Sequence, residues 1–142
     1  MSEAIAVQVI QLSNTEIEDA VRKIVAESLG RKVDDVKVGS VLMADLGAES
    51  LDFLDIVFRL ERDFSIEITR GEMERASRGD MSQDEFAPGG VISEAGLARL
   101  RELMPEAHDR IKPGLRPSTI LTLFSVQTFA NMVIGKRDGR SV

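Results

Sequence analysis

The chain has 142 residues, of which 43% are hydrophobic, which is enough for one modest core and argues against global disorder. It has no Cys, one His and a formal net charge of −6, so disulfides, thiolate catalysis and a His-rich metal cluster are excluded. The six aromatic residues are all Phe. An acidic chain without Trp or Tyr does not fit a surface that stacks nucleic-acid bases, so we expect no nucleic-acid partner.

The charge is unevenly placed along the chain. From Glu49 to Glu67 there are six acidic and two basic residues, a net of −4, whereas from Pro105 to Val142 there are six basic and three acidic residues, a net of +3. A concentrated acidic face suits partners that present Lys and Arg, because complementary fields steer encounter. The alternative is an ordinary solvated helix face.

The N-terminal segment, Met1 to Leu12, carries Glu3 and no Lys or Arg, and so it lacks the charged start of a secretory signal. No apolar run approaches the roughly 18 residues of a membrane span. We therefore expect a cytoplasmic protein with no membrane span, folded as a single domain over 1–142.

The first predicted helix runs over Thr15–Leu29, begins with a capping box between Thr15 and Glu18, and ends at Gly30. A long connection from Arg31 to Glu49 follows. Because a loop of this length is usually functional or well anchored, we expect its apolar residues to bind it to the core. These are Val33, Val36, Val41, Leu42 and Leu46.

The second predicted helix runs over Ser50–Phe64. Its main apolar stripe is flanked by Leu54 and Phe58, so the predicted buried face is wide. The stripe consists of Phe53, Val57, Leu60 and Phe64.

The remaining elements are shorter. Thr69 and Glu72 offer a capping box for a third helix that ends near Ala76, and Ser77 to Gly90 is predicted to be irregular. A further helix is predicted over Ser93–Met104, followed by an irregular stretch. That stretch contains Pro113, Gly114 and Pro117.

The last predicted helix has Ser125 as its N-cap. Phe124 and Phe129 occupy the N′ and N4 positions of a hydrophobic staple, and Gly135 is predicted to end the helix.

The run from Asp45 to Asp52 places a serine hydroxyl at a helix start, after a Gly-containing turn and among carboxylates. On the pattern alone Ser50 is most simply an N-cap. A nucleophilic serine needs a base that a third group orients, and the one imidazole, His108, is far away in sequence. No G-x-S-x-G elbow or calcium loop is present. The remaining interpretation is that Ser50 is a site of covalent modification rather than a residue that reacts on its own.

This run resembles the Asp-x-Gly-x-Asp-Ser-Leu-Asp signature of acyl carrier proteins, which surrounds the serine that takes the phosphopantetheine arm. Further matches follow in order, and together they cover about two-thirds of the chain. They are the helices Thr15–Leu29 and Ser50–Phe64, the segment Phe64 to Ile68, and the final helix from Phe124 to Val133. The implied fold is all-α, an acyl-carrier-like four-helix bundle with an extra inserted helix at about 75–117.

The resemblance also implies the chemistry. Ser50 would carry 4'-phosphopantetheine, whose thiol holds an acyl group as a thioester, and the chain would not be an enzyme. The implied partners are a phosphopantetheinyl transferase and acyl-ACP synthetase, acyltransferase or ketosynthase-type enzymes of fatty-acid, lipid or related biosynthesis. The acyl chain would lie in a groove beside Phe53 or Phe58, unless both are core, and the protein would be a monomer. The implied docking residues are Asp45, Glu49, Leu51, Asp52 and Asp55.

Two features depart from the family pattern. Glu49 stands where the family has Asp. The insertion at about 75–117 would be a lid over the acyl chain, a docking surface or a passively packed segment.

Two other classes of function stay open. One is an unmodified acidic module that binds a basic partner, and the other is an enzyme with Ser50 as nucleophile. Acidic residues on the second helix favour an acyl over a peptidyl carrier.

Overall fold

The computed structural model describes residues 9–69 and 77–139. The α-helices are α1 (Asn14–Leu29), α2 (Leu42–Leu46), α3 (Ser50–Phe64), α4 (Gln83–Phe86), α5 (Glu94–Leu103) and α6 (Val126–Arg137). In the same described ranges, one 3₁₀ segment, Val9–Gln11, precedes α1, and four lie between the helices, at Val33–Asp35, Pro88–Gly90, Pro105–Arg110 and Pro117–Leu123. The predicted all-α class is confirmed. The helix predicted over 69–76 lies, apart from Thr69, outside the described residues.

The capping box of α1 is formed by Ser13 and Glu16, so the predicted pair of Thr15 and Glu18 is wrong. The Ser13 N–H donates to Glu16 Oε1 at 2.8 Å, and the Glu16 N–H donates to Ser13 Oγ at 3.1 Å. Both pairs fit the same S/T-x-x-E pattern. The earlier start is also held from outside the helix, because Arg137 on α6 donates to the Leu12 carbonyl at 3.0 Å.

α1 packs against both α3 and α6. At the centre, the Phe53, Phe124 and Phe129 rings contact one another with centroids 5.6–6.0 Å apart and tilted planes, an arrangement that aromatic pairs favour. The contact between Phe124 and Phe129 confirms the predicted staple, and Ser125 caps α6 by accepting from the Thr128 N–H. These three helices form the bundle.

α6 continues two residues beyond its predicted end at Gly135. Gly135 keeps an ordinary helical backbone, and the left-handed turn falls at Gly139 instead, with a φ of 78°. Between them the Asp138 N–H donates to the Ile134 carbonyl at 3.0 Å. Glycine permits a helix end but does not impose one.

The connection between α1 and α3 is anchored as predicted. Val36, Val41, Leu42 and Leu46 are buried, and Val33 is half-buried. Within this connection Leu42–Leu46 forms the short helix α2, which was not predicted.

The segment predicted to be irregular before residue 90 contains α4. Ser82 and Glu85 form a capping box, in which the Ser82 N–H donates to Glu85 Oε1 at 2.9 Å. The same signature that identified other helix starts was present here. Phe86 at the end of α4 is buried and fastens it to the core.

α5 forms where it was predicted, with Ser93 as its N-cap. Leu97 and Leu100 are buried, and they belong to the same continuous apolar core as Phe53 and Phe129. The sequence also predicts that this helix packs beside the short third helix, and that contact falls on residues outside the described ranges. The sequence also predicts that the Gly-rich segment Pro88–Gly90 is mobile, and this stays a prediction.

Among residues 9–69 and 77–139, no helix has the length and apolar character needed to cross a membrane.

Candidate functional site

The loop that precedes Ser50 is fixed by local backbone contacts. α2 ends at Gly47, whose φ of 71° lies in the left-handed region that favours glycine. The chain then turns back, and the Ala48 N–H donates to the Leu42 carbonyl at 3.0 Å. Arg31, from just beyond α1, donates through Nη2 to the Leu46 carbonyl at 2.8 Å. The start of α3 is therefore held in a defined position.

Ser50 is the first residue of α3 and is exposed. The N-cap position belongs to Glu49, so the interpretation of Ser50 as an N-cap is wrong. Within the described part of the chain the Ser50 hydroxyl makes no hydrogen bond. The N–H groups of a helix's first turn lack partners within that helix, and with the helix dipole they favour an anion there. The site thus combines an accessible hydroxyl with a helix start that favours an anion, while the neighbouring Glu49 and Asp52 carry opposing negative charge.

Two carboxylates of the predicted docking set stabilise the local fold. Asp45 Oδ2 accepts from the Val41 N–H at 2.8 Å, at the start of α2. Asp52 Oδ2 accepts from the Glu49 N–H at 2.7 Å, at the start of α3. Each satisfies an N–H group at a helix terminus. Glu49 itself is exposed.

Asp55 is joined to α1. Its Oδ2 accepts from the Ser28 hydroxyl at 2.6 Å and from Arg59 Nε at 2.7 Å. The Ser28 hydrogen bond, followed by the Arg59 hydrogen bond, holds the pKa of the Asp55 carboxyl below its ordinary value. Asp55 is therefore a charged, partly exposed group that also links α3 to α1.

α3 has a second apolar face, which is exposed. The side chains of Leu51, Leu54 and Phe58 are 77%, 68% and 61% exposed. Leu54 and Phe58 were predicted to widen the buried face, and the structure corrects this. At about 100° per residue these three positions lie on the side opposite the buried stripe, and this helical spacing is the signal that could have separated the two faces. The buried stripe is Phe53, Ile56, Leu60 and Phe64.

Phe53 belongs to the packed aromatic centre of the bundle, whereas Phe58 faces outward. The two residues named for an acyl groove therefore lie on opposite faces of α3. His108 is an exposed residue of the 3₁₀ segment Pro105–Arg110, and its Nδ1 is 3.7 Å from the Asp109 carboxylate. No base in the described ranges is hydrogen-bonded to Ser50.

Residues 19–83 match a family model described as a phosphopantetheine attachment site. The match begins within α1, includes α2, α3 and Ser50, and ends at Gln83, the first residue of α4. No solved structure matches the chain at a significant level.

Proposed function

We propose, from the phosphopantetheine attachment domain that the chain carries over residues 19–83, that this protein is an acyl carrier protein with its arm on Ser50. The cofactor of this domain family is 4'-phosphopantetheine. The observation that carries the assignment to Ser50 is its exposed hydroxyl, without a hydrogen bond among the described residues, at the first position of α3. The arm, when attached, supplies a thiol that holds an acyl group as a thioester.

The residues around Ser50 fit such a group. The phosphodiester would form on Ser50 Oγ as the arm leaves the nucleotide part of coenzyme A, and the hydroxyl proton would pass to the transferase or to water. The start of α3 favours the phosphate charge. Glu49 and Asp52 oppose it, which favours an arm that extends outward. An outward arm suits a carrier, whose task is delivery.

The docking surface we propose combines charge with an apolar stripe. Leu51, Leu54 and Phe58 lie on the helix that begins at Ser50, and exposed apolar patches of this kind commonly mark protein contacts. Glu49 and Asp55 add negative charge, which would steer basic partners. The partners would be the transferase and acyl-transferring enzymes of fatty-acid, lipid or related biosynthesis, and the carrier would act in the cytoplasm as a monomer.

We propose that residues from about 75 to 117 are inserted into a carrier bundle rather than appended after it. The position of α6 supports this proposal. α6 follows this additional segment (about 75 to 117) in the chain, yet it packs on α1 and joins the aromatic centre through Phe129. The match to the attachment-site family ends before both α5 and α6.

The protein isolated from its native host tests this function. Intact-mass spectrometry should show the added mass of one arm. It should also show the mass of an acyl group, and neutral hydroxylamine should remove this group because it cleaves thioesters. The identity of that acyl group would indicate the pathway. A population without any arm would contradict the proposal and favour the unmodified module that binds a basic partner.

A further inference from the structure

Arg31 lies where α1 ends and the connection to α3 begins. Gly30 ends α1 in the left-handed region, with a φ of 67°, and the Arg31 N–H donates to the Ala26 carbonyl at 2.8 Å. This pair of features is a Schellman motif, which closes a helix end and sets the direction of the chain beyond it. The backbone of Arg31 is therefore fixed to α1, although the residue as a whole is exposed.

The Arg31 side chain extends from this point to the C-terminal end of α2. Its Nη2 atom donates to the carbonyl of Leu46, the last residue of α2, at 2.8 Å. The carbonyls of a helix's last turn have no partner within that helix, so this contact satisfies one of them. The same Nη2 atom would lie 3.8 Å from a Cβ atom on Gly47, so the guanidinium also lies against the turn that follows. Arg31 thereby joins the end of α1 to the start of the turn before Ser50.

The turn itself is short. Three residues separate Leu46 from Ser50. Among them Ala48 is buried, and its N–H donates to the first carbonyl of α2 at 3.0 Å. The turn is therefore held at Ala48 by α2 and at Leu46 by Arg31. Loss of the second contact would loosen the link between α1 and the segment that carries Ser50.

We propose that Arg31 is a positioning residue for the modification of Ser50, because it holds the turn before α3 in the shape that the phosphopantetheinyl transferase binds. This inference rests on the proposed carrier function and adds a residue outside the docking surface described there. When a partner binds one shape of a segment, its apparent affinity falls with the fraction of chains in that shape. Arg31 therefore acts on binding of the transferase and not on the chemical step at the Ser50 hydroxyl.

The charge of Arg31 separates this role from electrostatic steering. The proposed docking surface is acidic and its partners are basic, so a positive charge beside it would slow their encounter. Loss of the charge alone would therefore speed modification, whereas loss of the hydrogen bond would slow it. Lys32 is the matched control, because it is an exposed neighbouring cation whose side chain makes no hydrogen bond or ion pair within the described ranges.

The test compares wild type, Arg31→Met, Arg31→Lys and Lys32→Met in steady-state modification by coenzyme A and a transferase from the same host, with the carrier as the varied substrate. Arg31→Met keeps an aliphatic stem without a donor and should raise KM about fivefold, as for loss of one hydrogen bond, with kcat unchanged. Arg31→Lys keeps a donor and should return KM toward the wild-type value. Lys32→Met should leave KM unchanged or lower it.

Amide hydrogen exchange gives a readout that does not depend on the transferase. The Gly47 and Ala48 amides should exchange faster in Arg31→Met than in wild type or Lys32→Met. Kinetics are measured well below the unfolding temperature of every variant, so that a general loss of stability does not raise KM. Equal KM values for Arg31→Met and wild type, or the same rise in Lys32→Met, would overturn this inference and leave the arm on Ser50 in place. A wild-type chain that gains no arm would overturn the proposed function and this inference with it.

Discussion

Asp52 contributes both to the fold and to the charge of the proposed docking face. Its carboxylate accepts the Glu49 N–H at 2.7 Å, and the same negative charge lies two residues from Ser50. Replacing Asp52 by a positive residue would therefore change helix capping and docking together. The two contributions can be separated, because Asn keeps an acceptor oxygen and loses the charge.

We expect Asp52→Ala to lower the free energy of unfolding by about 1 kcal/mol, the usual cost of a lost capping interaction. Asp52→Asn should retain most of that stability, yet reduce kcat/KM for modification by the transferase, since charge steers encounter. Urea denaturation measures the first effect, and modification kinetics at low and high salt measure the second. Equal kinetics for Asp52→Asn and wild type would show that this charge does not contribute to docking.

At the scale of an element, α3 presents two apolar faces with different environments. The face that contains Leu60 is buried against the bundle, and the face that contains Leu54 and Phe58 is exposed. Burial in a core is what makes large-to-small substitutions costly. The two faces should therefore respond differently to mutation.

The double change Leu54→Ser and Phe58→Ser should leave thermal stability nearly unchanged, because both side chains are mostly exposed. It should reduce kcat/KM with the transferase by loss of apolar contact area. Leu60→Ala, on the buried face, should instead cost about 2–5 kcal/mol of stability. If the double variant is modified as fast as wild type, the exposed stripe is not the docking surface.

Two helical glycines form a matched pair. A Cβ on Gly96 in α5 would lie 2.7 Å from Ile92 Cγ2 and 2.9 Å from the Phe86 carbonyl oxygen. A Cβ on Gly135 in α6 would have no atom within 4 Å beyond its chain neighbours and the backbone of its own helix. The close approach at Gly96 allows α5 to pack against α4. At Gly135 the structure shows no such constraint.

Gly96→Ala should therefore destabilise the protein although alanine is the better helix former, because backbone as well as side chains must shift. Gly135→Ala should stabilise it by up to about 1 kcal/mol. Thermal unfolding of both variants checks the pair. A stabilised Gly96→Ala variant would show that the contact between α4 and α5 is looser than the structure indicates.

For the whole molecule, the additional segment shares the bundle's core. Met104 and Ile111 are buried and belong to the same apolar cluster as Val21 and Phe129. The isolated β-bridge between Val41 and Ser125 joins the loop before α2 to the start of α6. The segment is thus integrated into the core that supports α3.

The sequence predicted those features that depend on local patterns. The limits of α3 and the cap of α6 follow from helical spacing and from Ser125, and both are confirmed. The helix start was predicted wrongly at Thr15, because Ser13 and Thr15 both fit one motif and a contact from Arg137 on α6 holds the earlier start.

Features that depend on long-range packing were not predicted. Glu49, rather than Ser50, takes the N-cap position in a turn fixed by Gly47 and Arg31. Helical spacing places Phe58 on a different face of α3 from Leu60, but which of these two apolar faces is buried depends on the packing of the other helices. The close contact of Arg99 on α5 with Gly79 depends on packing between two segments that are distant in the chain.

The most direct test of the central claim is modification of the purified chain by coenzyme A and a phosphopantetheinyl transferase from its own host, followed by intact-mass spectrometry. Wild type and Ser118→Ala, which alters another exposed serine, should each gain one arm, and Ser50→Ala should gain none. Because Ser50 is not the N-cap, its replacement should change the free energy of unfolding by less than about 0.5 kcal/mol. An arm on Ser50→Ala, or none on wild type, would contradict the assignment.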